Sequence, residues 1–511
     1  MSHSAAPRAR FGLAPYQLVP LHTWAEGTTE AVLYVMAVFA PWLFGCAQST
    51  ALTGWEIFGC RQPWTIWTMN FCGYALGGLL LVKWLVRAGG YRPPRWDDNS
   101  STAGRWTTRG LGAATWLILL YTLVSVVNFR GQFIPADYQF KYNDRALLWL
   151  PHSYELTGSW RFFLNHLALA AAFWAARDWL LGKTLRETRG GDAARVAFLP
   201  ARLKRLLWVL SVNGALLALE GIAQRVSGTD KLLWYIQPRI NKTAEGQFGP
   251  FAYRSNAAQY FNLLWPAALA LWWTLRREAQ FTAPALRSLR HHWLLGCVAL
   301  MAACPLFSYS RGGAMVGLAT ISLAALVLAT ALRQAHGATK FGLFLFFVTI
   351  LVLGFAFGWD KLGDRMQDLE KGVTGRAGYN EMAWPMVRDY PVFGSGPGTF
   401  GMLFQLYQTR WDIRAAQLHN DWLETLITFG PAGCALIALA AGAVFGRRFG
   451  AGGIHASWRF TLLLWVALAG CLAHALFDFP LQMYSVLWLF LLLCSILSVL
   501  GERPAAAEPA E

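Results

Sequence analysis

Residues 313–332 read GAMVGLATISLAALVLATAL, a stretch without a single charged side chain. A membrane-spanning helix needs about 20 consecutive apolar residues, and this stretch has that length. Comparable apolar runs recur along the 511-residue chain, of which 55% is hydrophobic and only 14% charged. Soluble domains average about 25% charged residues. The sequence therefore predicts an all-α, polytopic membrane protein rather than a soluble domain with one membrane anchor.

About twelve transmembrane helices are predicted from these runs. They begin near Ala31, Ile66, Leu111, Arg161, Arg205, Gln259, Trp293, Gly313, Phe341, Asp421, Arg459 and Leu481. Basic residues concentrate in the loops after the second, fourth, sixth, eighth and tenth spans. The positive-inside rule therefore places those loops and both termini in the cytoplasm. The same clustering accounts for the net charge of +16, which we do not interpret as nucleic-acid binding.

Three loops on the opposite, external side are long, polar and rich in aromatic residues: 129–159, 226–253 and 360–418. Loops beyond about 12–15 residues are uncommon unless they have a function. The third loop is expected to contain short helices. The predicted division of the chain is 1–248 with the first five spans, 249–500 with the remaining spans and the loop 360–418, and 501–511 as a disordered tail rich in Ala, Pro and Glu.

Arg311 lies in the segment FSYSRGG, residues 307–313, between two apolar runs and on the predicted external side. A charge at such a depth is costly, so this arginine is a candidate functional residue. Its guanidinium suits bidentate binding of a phosphate, and the adjacent glycines permit a tight turn and the close approach of a bulky ligand. The alternative is an arginine at a helix end whose charge reaches the membrane surface.

Arg376 opens a predicted helix in which apolar residues recur at helical spacing until Pro391. This helix would lie along the membrane surface or across a cavity, with the arginine in its first turn. The alternative is an interfacial helix with one solvated arginine. The run Gly394–Gly398 superficially resembles a phosphate-cradling loop, but no lysine follows it and no strand precedes it. A flexible connection is therefore expected there.

His419 begins the tenth predicted span, in the segment LHNDWLE at residues 418–424. An imidazole titrates near neutral pH and can accept a proton from a hydroxyl. Asp421 and Glu424 are near enough in sequence to tune it. The alternatives are a structural histidine or an N-terminal cap, because Asn420 and Asp421 can satisfy the first amides of a helix.

Two further external segments carry polar candidates. Arg254 and Asn256 stand at the entrance to the sixth span. His474 and Asp478 stand four residues apart at the external end of the eleventh span, where they can pair as a proton relay or as half of a metal site. Two ligands are too few for a metal site, so we expect a structural pair that supports the site.

The eight cysteines fall mostly within predicted spans and lack metal-ligand spacing. No external Asp-x-Asp motif is present either, so the sequence predicts no metal and no other cofactor. Cys46 and Cys60 flank one short external segment, and a disulfide between them is left open.

Together these segments resemble the O-antigen ligase / O-antigen polymerase family of bacterial inner-membrane glycosyltransferases. The Arg-Gly turn of that family is matched by Ser310-Arg311-Gly312. Its later motifs are matched by Arg376, Trp384, Pro391, Gly394, Gly396 and Gly398, and then by His419, Asn420, Leu423, Gly430 and Gly433. The segment 249–256 resembles the stretch that precedes a helix in the family, so the resemblance covers roughly residues 249–478.

The resemblance implies glycan transfer from an undecaprenyl-diphosphate-linked donor to an acceptor hydroxyl at the periplasmic face of the inner membrane. It implies that His419 handles the acceptor hydroxyl and that external arginines hold the lipid diphosphate. The catalytic candidates are His419, Arg376 and Arg311, and the substrate-binding candidates are Arg254, Asn256, Asn420, His474 and Asp478.

The acceptor is left open, because lipid A core, a growing glycan or a protein would distinguish ligases, polymerases and protein O-oligosaccharyltransferases, which share these motifs. The chain is longer than a typical ligase. A transporter or lipid flippase is the alternative from another class. It would explain the number of spans, but it predicts pseudo-symmetric halves and ionisable residues at the membrane midplane, which the sequence does not show.

Overall fold

The computed structural model describes residues 15–46, 54–99, 101–134, 136–137, 139–189, 199–280, 290–332, 340–341, 343–348, 350, 352, 369–409, 416–446 and 454–502. Its named helices are α1 (Pro15–Trp42), α2 (Trp64–Ala88), α3 (Thr102–Val127), α4 (Leu156–Leu181), α5 (Leu185–Arg189), α6 (Ala201–Ser227), α7 (Arg254–Gln280), α8 (Arg290–Phe307), α9 (Arg311–Leu332), α10 (Leu369–Asp389), α11 (Phe400–Leu403), α12 (Asp421–Phe445), α13 (Trp458–His474) and α14 (Tyr484–Leu497).

Short strands pair in three places among these residues. β1 (Gly54–Ile57) pairs with β2 (Cys60–Pro63), and β3 (Gly131–Ile134) pairs with β4 (Gln139–Tyr142), both antiparallel. β5 (Ile454–Ala456) and β6 (Leu500–Glu502) are parallel. No strand of the described residues exceeds 4 residues, and the predicted all-α class is confirmed.

The predicted spans coincide with helices. Within the described residues, 5 helices are long and apolar enough to cross a membrane: α2, α3, α6, the part Arg311–Ala329 of α9, and α12. Shorter apolar helices are His291–Phe307 within α8, α13 and α14. The spans predicted to begin near Ala31, Arg161 and Gln259 fall in α1, α4 and α7. The ninth predicted span falls on helical residues with gaps between them, and the total of twelve stays a prediction.

Two predicted segments lie partly outside the described residues. The structure describes 369–409 and 416–418 of the loop 360–418, and these residues include α10 and α11. The first two residues of the predicted tail 501–511 belong to β6, because their backbone completes the parallel pair with β5. Cys60 has a free, buried thiol, whereas the side chain of Cys46 lies outside the described residues.

α7 runs through the centre of the helix bundle. Every side chain from Ser255 to Thr274 is buried, and the helix packs against α6, α8, α9, α13 and α14. Most of this helix is apolar, but its first turns carry Ser255, Asn256, Gln259 and Asn262. Buried polar groups are costly unless they find hydrogen-bond partners. The start of α7 is therefore where the core changes from an apolar packing surface to a polar one.

The far end of the bundle holds a cluster of paired charges. α2 and α4 run parallel, because Asn70 donates to Asn165 at 2.7 Å near their starts while Arg87 donates to both carboxylate oxygens of Asp178, at 2.7 and 2.8 Å, near their ends. Lys83 is completely buried and lies 2.9 Å from the same carboxylate. These pairs compensate the buried charges of Lys83 and Arg87 at the end of α2.

α6 connects this charged end with the opposite one. It begins where Arg202 donates to the carbonyl of Trp179 at 2.7 Å, and it ends with Arg225 in its last turn. Arg225 donates to the carbonyl of Gln247 at 2.7 Å and to the carbonyl of Phe307 at 3.2 Å. It thus ties the loop before α7 to the turn before α9. The polar starts of α7 and α9 therefore share the end of the bundle that is opposite to the charged cluster.

α12 is broken at Gly430, where φ is 60° and ψ is 178°, and a proline follows. The break leaves the carbonyls of the preceding turn without helical partners. The backbone N–H of Ser395 donates to the carbonyl of Ile427 at 2.8 Å, and that of Gly396 donates to the carbonyl of Thr428 at 3.0 Å. The run Gly394–Gly398 therefore supplies the hydrogen-bond donors that the broken helix lacks. The N–H groups of Ser395 and Gly396 are used in this way and are not available for a phosphate.

The same glycine run is packed tightly rather than flexible, which differs from the expectation. Gly394, Gly396 and Gly398 have positive φ angles of 69°, 108° and 75°. A Cβ atom on Gly394 would lie 2.5 Å from the backbone nitrogen of Gly430. Glycine is needed here because the two backbones touch and because other residues rarely adopt these angles.

Replacing Gly430 by alanine is expected to lower the free energy of unfolding by about 1–3 kcal/mol, the range for a residue held in a sparsely populated backbone region. The added Cβ would also press on the carbonyl of Val392. Gly442→Ala is the matched control, because the position lies in the same helix with nothing within 4 Å of its Cβ. Thermal unfolding in one detergent measures both variants, and equal midpoints would contradict the role of the break.

Candidate functional site

Five segments that are distant in sequence meet at the polar end of the bundle. They are the start of α7, the turn that opens α9, the helix α10, the residues that open α12, and the turn after α13. The last of these contains Asp478, a residue that is 1% exposed and whose carboxylate is the centre of the site. Side chains from the start of α7, from α10 and from the residue before the cap of α12 bind this carboxylate directly. Arg376 does not open its helix as predicted, because α10 begins two turns earlier, at Leu369.

The Asp478 carboxylate accepts hydrogen bonds at both oxygens. Nδ1 of His419 lies 3.1 Å from Oδ1. Ser255 donates to Oδ2 at 2.5 Å, Tyr253 donates to it at 3.3 Å, and Nη2 of Arg376 lies 3.4 Å from it. An ionised carboxylate can only accept hydrogen bonds, so a site built from these donors favours the charged form.

The charge of Asp478 persists although the side chain is buried. Burial raises the pKa of the carboxyl group. The hydrogen bond from His419, the charge that His419 carries when protonated, the charge of Arg376 and the charge of a protonated His474 outweigh burial. They hold the pKa of Asp478 well below its ordinary value. Burial and the charge of Asp478 raise the pKa of Tyr253, which therefore remains a hydroxyl donor.

His419 is held in an unusual backbone conformation with φ of 60°, a region that residues other than glycine rarely adopt. Its ring contacts Phe479 with the ring centroids 4.7 Å apart, and it lies edge-on to Tyr253 at 6.1 Å. The side chain is 27% exposed. Because Nδ1 faces Asp478, Nε2 is the nitrogen that remains for a reaction partner.

The acidic residues nearest to His419 in sequence do not tune it through contact. Asp421 accepts the backbone N–H of Leu481 at 2.8 Å, and Glu424 accepts that of Leu418 at 2.9 Å. Asn420 caps α12 by accepting the N–H of Leu423 at 3.1 Å, as the capping alternative proposed. The carboxylate that binds His419 is instead 59 residues away in sequence.

Three other predicted site residues, Arg311, Arg254 and Asn256, do not contact the carboxylate of Asp478 in the hydrogen bonds described above. Arg311 is the first residue of α9, and a Cβ on the adjacent Gly312 would lie 3.2 Å from Nε2 of His474, so this turn borders the site. Arg254 donates to the carbonyl of Glu245 at 2.8 Å. Asn256 is buried, and among the described residues neither of its side-chain polar atoms finds a hydrogen-bond partner.

His474 is fully buried, with Nδ1 lying 2.8 Å from Oε1 of Gln259 and Nε2 lying 3.1 Å from Oγ of Ser255. Its separation from the Asp478 carboxylate is longer, 3.8 Å. His474 thus contacts Ser255 and Gln259 in the core and supports the site through these hydrogen bonds. In the part of the chain that the structure describes, no group of three or more His, Cys, Asp or Glu residues could hold a metal ion.

Residues 296–438 match the family model described as O-antigen ligase. The chain carries an O-antigen ligase domain. No curated protein and no solved structure matches the chain. The match confirms the family resemblance seen in the sequence. With the apolar helices, it supports a membrane protein with an O-antigen ligase-like function in glycan transfer.

The O-antigen ligase domain contains only part of the site. Arg311, Arg376 and His419 lie within the matched residues, whereas Ser255 and Asp478 lie outside them. Sequence reasoning missed Tyr253, Ser255 and Gln259. Ser255 and Gln259 could have been found from their spacing, because two polar residues four apart on a largely apolar helix lie on the same side of it.

Asp478→Asn tests the ionisation of this carboxylate. Because the pKa of Asp478 is lowered in the folded protein, its charge should stabilise the fold above about pH 4, the ordinary range of an unfolded aspartate, and should lose this effect only as the pH falls further. The variant should be less stable by on the order of 3 kcal/mol, because it removes the buried negative charge that Arg376 and the hydrogen-bond donors bind. The measurement is the difference in thermal midpoint between wild type and variant.

That difference should be constant from pH 8 to pH 5 and should narrow below about pH 4. A difference that stays constant or widens as the pH falls from 7 to 3 would mean that the Asp478 pKa is not lowered.

Proposed function

We propose that this protein transfers a glycan from an undecaprenyl-diphosphate-linked donor to an acceptor hydroxyl, with His419 as the general base. The observation that carries the proposal is the pair formed by His419 and Asp478, with Arg376 bound to the same carboxylate, within and beside an O-antigen ligase domain. A base oriented by a buried carboxylate is a recurring arrangement for activating a hydroxyl.

The proposed reaction is a displacement at the anomeric carbon of the donor. The acceptor oxygen forms a bond to that carbon while the bond from the carbon to the diphosphate oxygen breaks. The hydroxyl proton passes to Nε2 of His419, and the lipid diphosphate leaves with the bonding electrons. Asp478 stabilises the imidazolium that forms, as it accepts the Nδ1–H hydrogen bond.

Arginines are proposed to stabilise the departing diphosphate. Negative charge develops on the leaving group, and preorganised guanidinium groups in a site that excludes water lower its energy. The side chain of Arg376 is 35% exposed, so it can reach a phosphate while it remains close to Asp478. Arg311 is proposed as the second arginine, because its turn borders His474. This mechanism requires neither a metal nor another cofactor.

Arg254 and Asn420 are proposed to contact the substrate at the edge of the site. Asn256, His474 and Asp478 are buried, and we place them beneath the substrate as its support. The proposed partners are the lipid-linked donor, surrounding membrane lipids, and an acceptor that is lipid A core, a growing glycan or a protein. Purified acceptors of each class, offered to the protein in proteoliposomes, would separate a ligase from a polymerase and from a protein glycosyltransferase.

We further propose a topology of about twelve spans in the bacterial inner membrane, with both termini cytoplasmic and the site periplasmic. The domain division at residues 248 and 500 is part of this proposal. Its support is the separation of the two ends of the bundle: the paired basic residues near Asp178 lie at one end and the carboxylate of Asp478 at the other.

Cysteine labelling tests this topology. Leu406 is 65% exposed in the loop 360–418, and Leu185 is 77% exposed in the predicted cytoplasmic loop after the fourth span. In intact spheroplasts, Leu406→Cys should react with a membrane-impermeant thiol reagent, whereas Leu185→Cys should react only after the membrane is ruptured. The parent protein sets the background, and the reverse pattern would overturn the proposed orientation.

His419→Ala and Arg376→Lys should separate catalysis from donor binding. The alanine variant should bind the lipid-linked donor normally but lose transfer by roughly 10²–10⁴-fold, the usual contribution of general base catalysis. The lysine variant should bind the donor more weakly, because lysine keeps the charge but loses the forked geometry. Both are measured in proteoliposomes, by donor binding and by glycan transfer to purified acceptor.

His292→Ala is the matched control for these variants, since His292 is an exposed histidine in α8. It should retain both binding and transfer. A folded His419→Ala protein that transfers glycan at the wild-type rate would remove His419 from the mechanism, and full donor binding by Arg376→Lys would remove the assigned role of that arginine.

A further inference from the structure

A chain of buried polar side chains continues from Asp478 into the core. Ser255 lies 2.5 Å from Oδ2 of Asp478, and its hydroxyl is also 3.1 Å from Nε2 of His474. Nδ1 of His474 lies 2.8 Å from the amide of Gln259. Each of these residues is at least nine-tenths buried, so bulk water does not reach their hydrogen bonds. The protons within the chain must therefore be shared among its members.

Counting protons gives the chain a direction. The Ser255 hydroxyl has one proton, and an ionised Asp478 can only accept it. His474 must then donate from Nε2 to the Ser255 oxygen, because two lone pairs would otherwise face each other. A neutral His474 that is protonated at Nε2 accepts at Nδ1, which requires the N–H of the Gln259 amide to point toward it.

This direction also explains a feature of Gln259. With its oxygen toward His474, the Gln259 nitrogen is buried and has no hydrogen-bond partner in the part of the chain that the structure describes. The two ends of an amide have the same shape, so the partners decide which atom faces the ring. Turning the amide gives its nitrogen an acceptor and places the oxygen where it can accept from the thiol of Cys471, which lies close to this amide.

We propose that Gln259, His474 and Ser255 form a one-way chain of hydrogen-bond donors that ends on Asp478 and fixes the tautomer of His419. The hydroxyl of Ser255 binds Oδ2 of Asp478 and so orients the carboxylate with Oδ1 toward His419, whose Nδ1 must then carry the proton. Nε2 of His419 is left without a proton and can act as a base. Ser255, His474 and Gln259 are thus positioning residues that act on His419 through Asp478. Their effect on catalysis rests on the proposed function.

The surroundings of Ser255 hold its hydroxyl in place for this role. Ser310, in the turn that opens α9, donates to the oxygen of Ser255 at 3.2 Å, and its own oxygen accepts the N–H of Gly313 at 3.1 Å. Asp478 is faced by the side chains of Tyr253, Ser255, Arg376, His419 and His474 and by the backbone N–H of Phe479, which donates to Oδ1 at 3.1 Å. A change at Ser255 therefore removes one donor while the other groups remain.

The direct test is ¹⁵N NMR of histidine-labelled protein in detergent. The chain has 10 histidines, and the ring signals of His419 are identified by their absence from a His419→Gln sample. Wild type should show His419 protonated at Nδ1 and unprotonated at Nε2. Ser255→Ala should give a mixture of the two tautomers, while Ser255→Thr, which retains the hydroxyl, should keep the wild-type pattern. His474→Gln retains a donor toward Ser255 and should also keep it.

The activity test uses the same variants. Ser255→Ala should lower the turnover of glycan transfer roughly 10- to 100-fold, the usual cost of losing a partner that orients a functional side chain. KM for the lipid-linked donor should not change. Ser255→Thr and His474→Gln should recover most of the rate. Ser211→Ala is the matched control, because Ser211 is a buried serine whose hydroxyl bonds within its own helix.

The possible results distinguish a failure of the hydrogen-bond chain Gln259–His474–Ser255 from a failure of the proposed function. If wild type transfers no glycan, the proposed function fails, while the tautomer of His419 in wild type and Ser255→Ala still tests the chain. If Ser255→Ala is folded and keeps both the wild-type tautomer and the wild-type turnover, the chain does not position His419. Equal losses in Ser255→Ala and Ser255→Thr, with an unchanged tautomer, would also overturn the proposal.

Discussion

A single buried carboxylate organises the polar end of this protein. Asp478 is almost inaccessible to water, yet its pKa is lowered, so its charge must be compensated by neighbours. The compensating donors come from the start of α7, from α10 and from the residue before the cap of α12. None of these segments can move away without leaving a buried charge unpaired. The geometry around His419 is therefore a consequence of how the helices are packed as well as of the local sequence.

The backbone of the broken helix α12 also depends on hydrogen bonds from a segment that is distant in sequence. Gly430 interrupts the helix, and the run Gly394–Gly398 supplies the N–H groups that the interruption requires. This run follows α10, the helix that carries Arg376, and α12 begins directly after His419 and Asn420. The repair of α12 thus joins the segment that carries the arginine to the segment that carries the histidine. A run that resembles a phosphate-binding loop has instead a structural use, because the N–H groups of Ser395 and Gly396 already bind carbonyls of α12.

Much of the helix content could be predicted from the sequence, since apolar length is a local property and a membrane helix needs about 20 such residues. His419 and Asp478 are recognisable in the sequence as polar groups at the ends of apolar runs, and Arg376 as a charged residue of a predicted helix in the loop 360–418. Their pairing was not predictable. The sequence favoured Asp421 and Glu424 as neighbours of His419, but both bind backbone N–H groups. Contacts between distant segments depend on helix packing, which a hydropathy pattern does not encode, and Ser255 was missed for the same reason.

The matched O-antigen ligase domain ends at residue 438, but the carboxylate that His419 binds lies beyond it in the turn after α13. Ser255 and Tyr253, which bind the same carboxylate, lie before residue 296. The smallest portion that carries the whole constellation is therefore 253–479, with the central helix α7 at one limit and Phe479 at the other. A chimera that exchanged only residues 296–438 between relatives would bring a histidine and its arginines to a carboxylate shaped for a different partner. Recombination that preserves the site must exchange the larger portion as one piece.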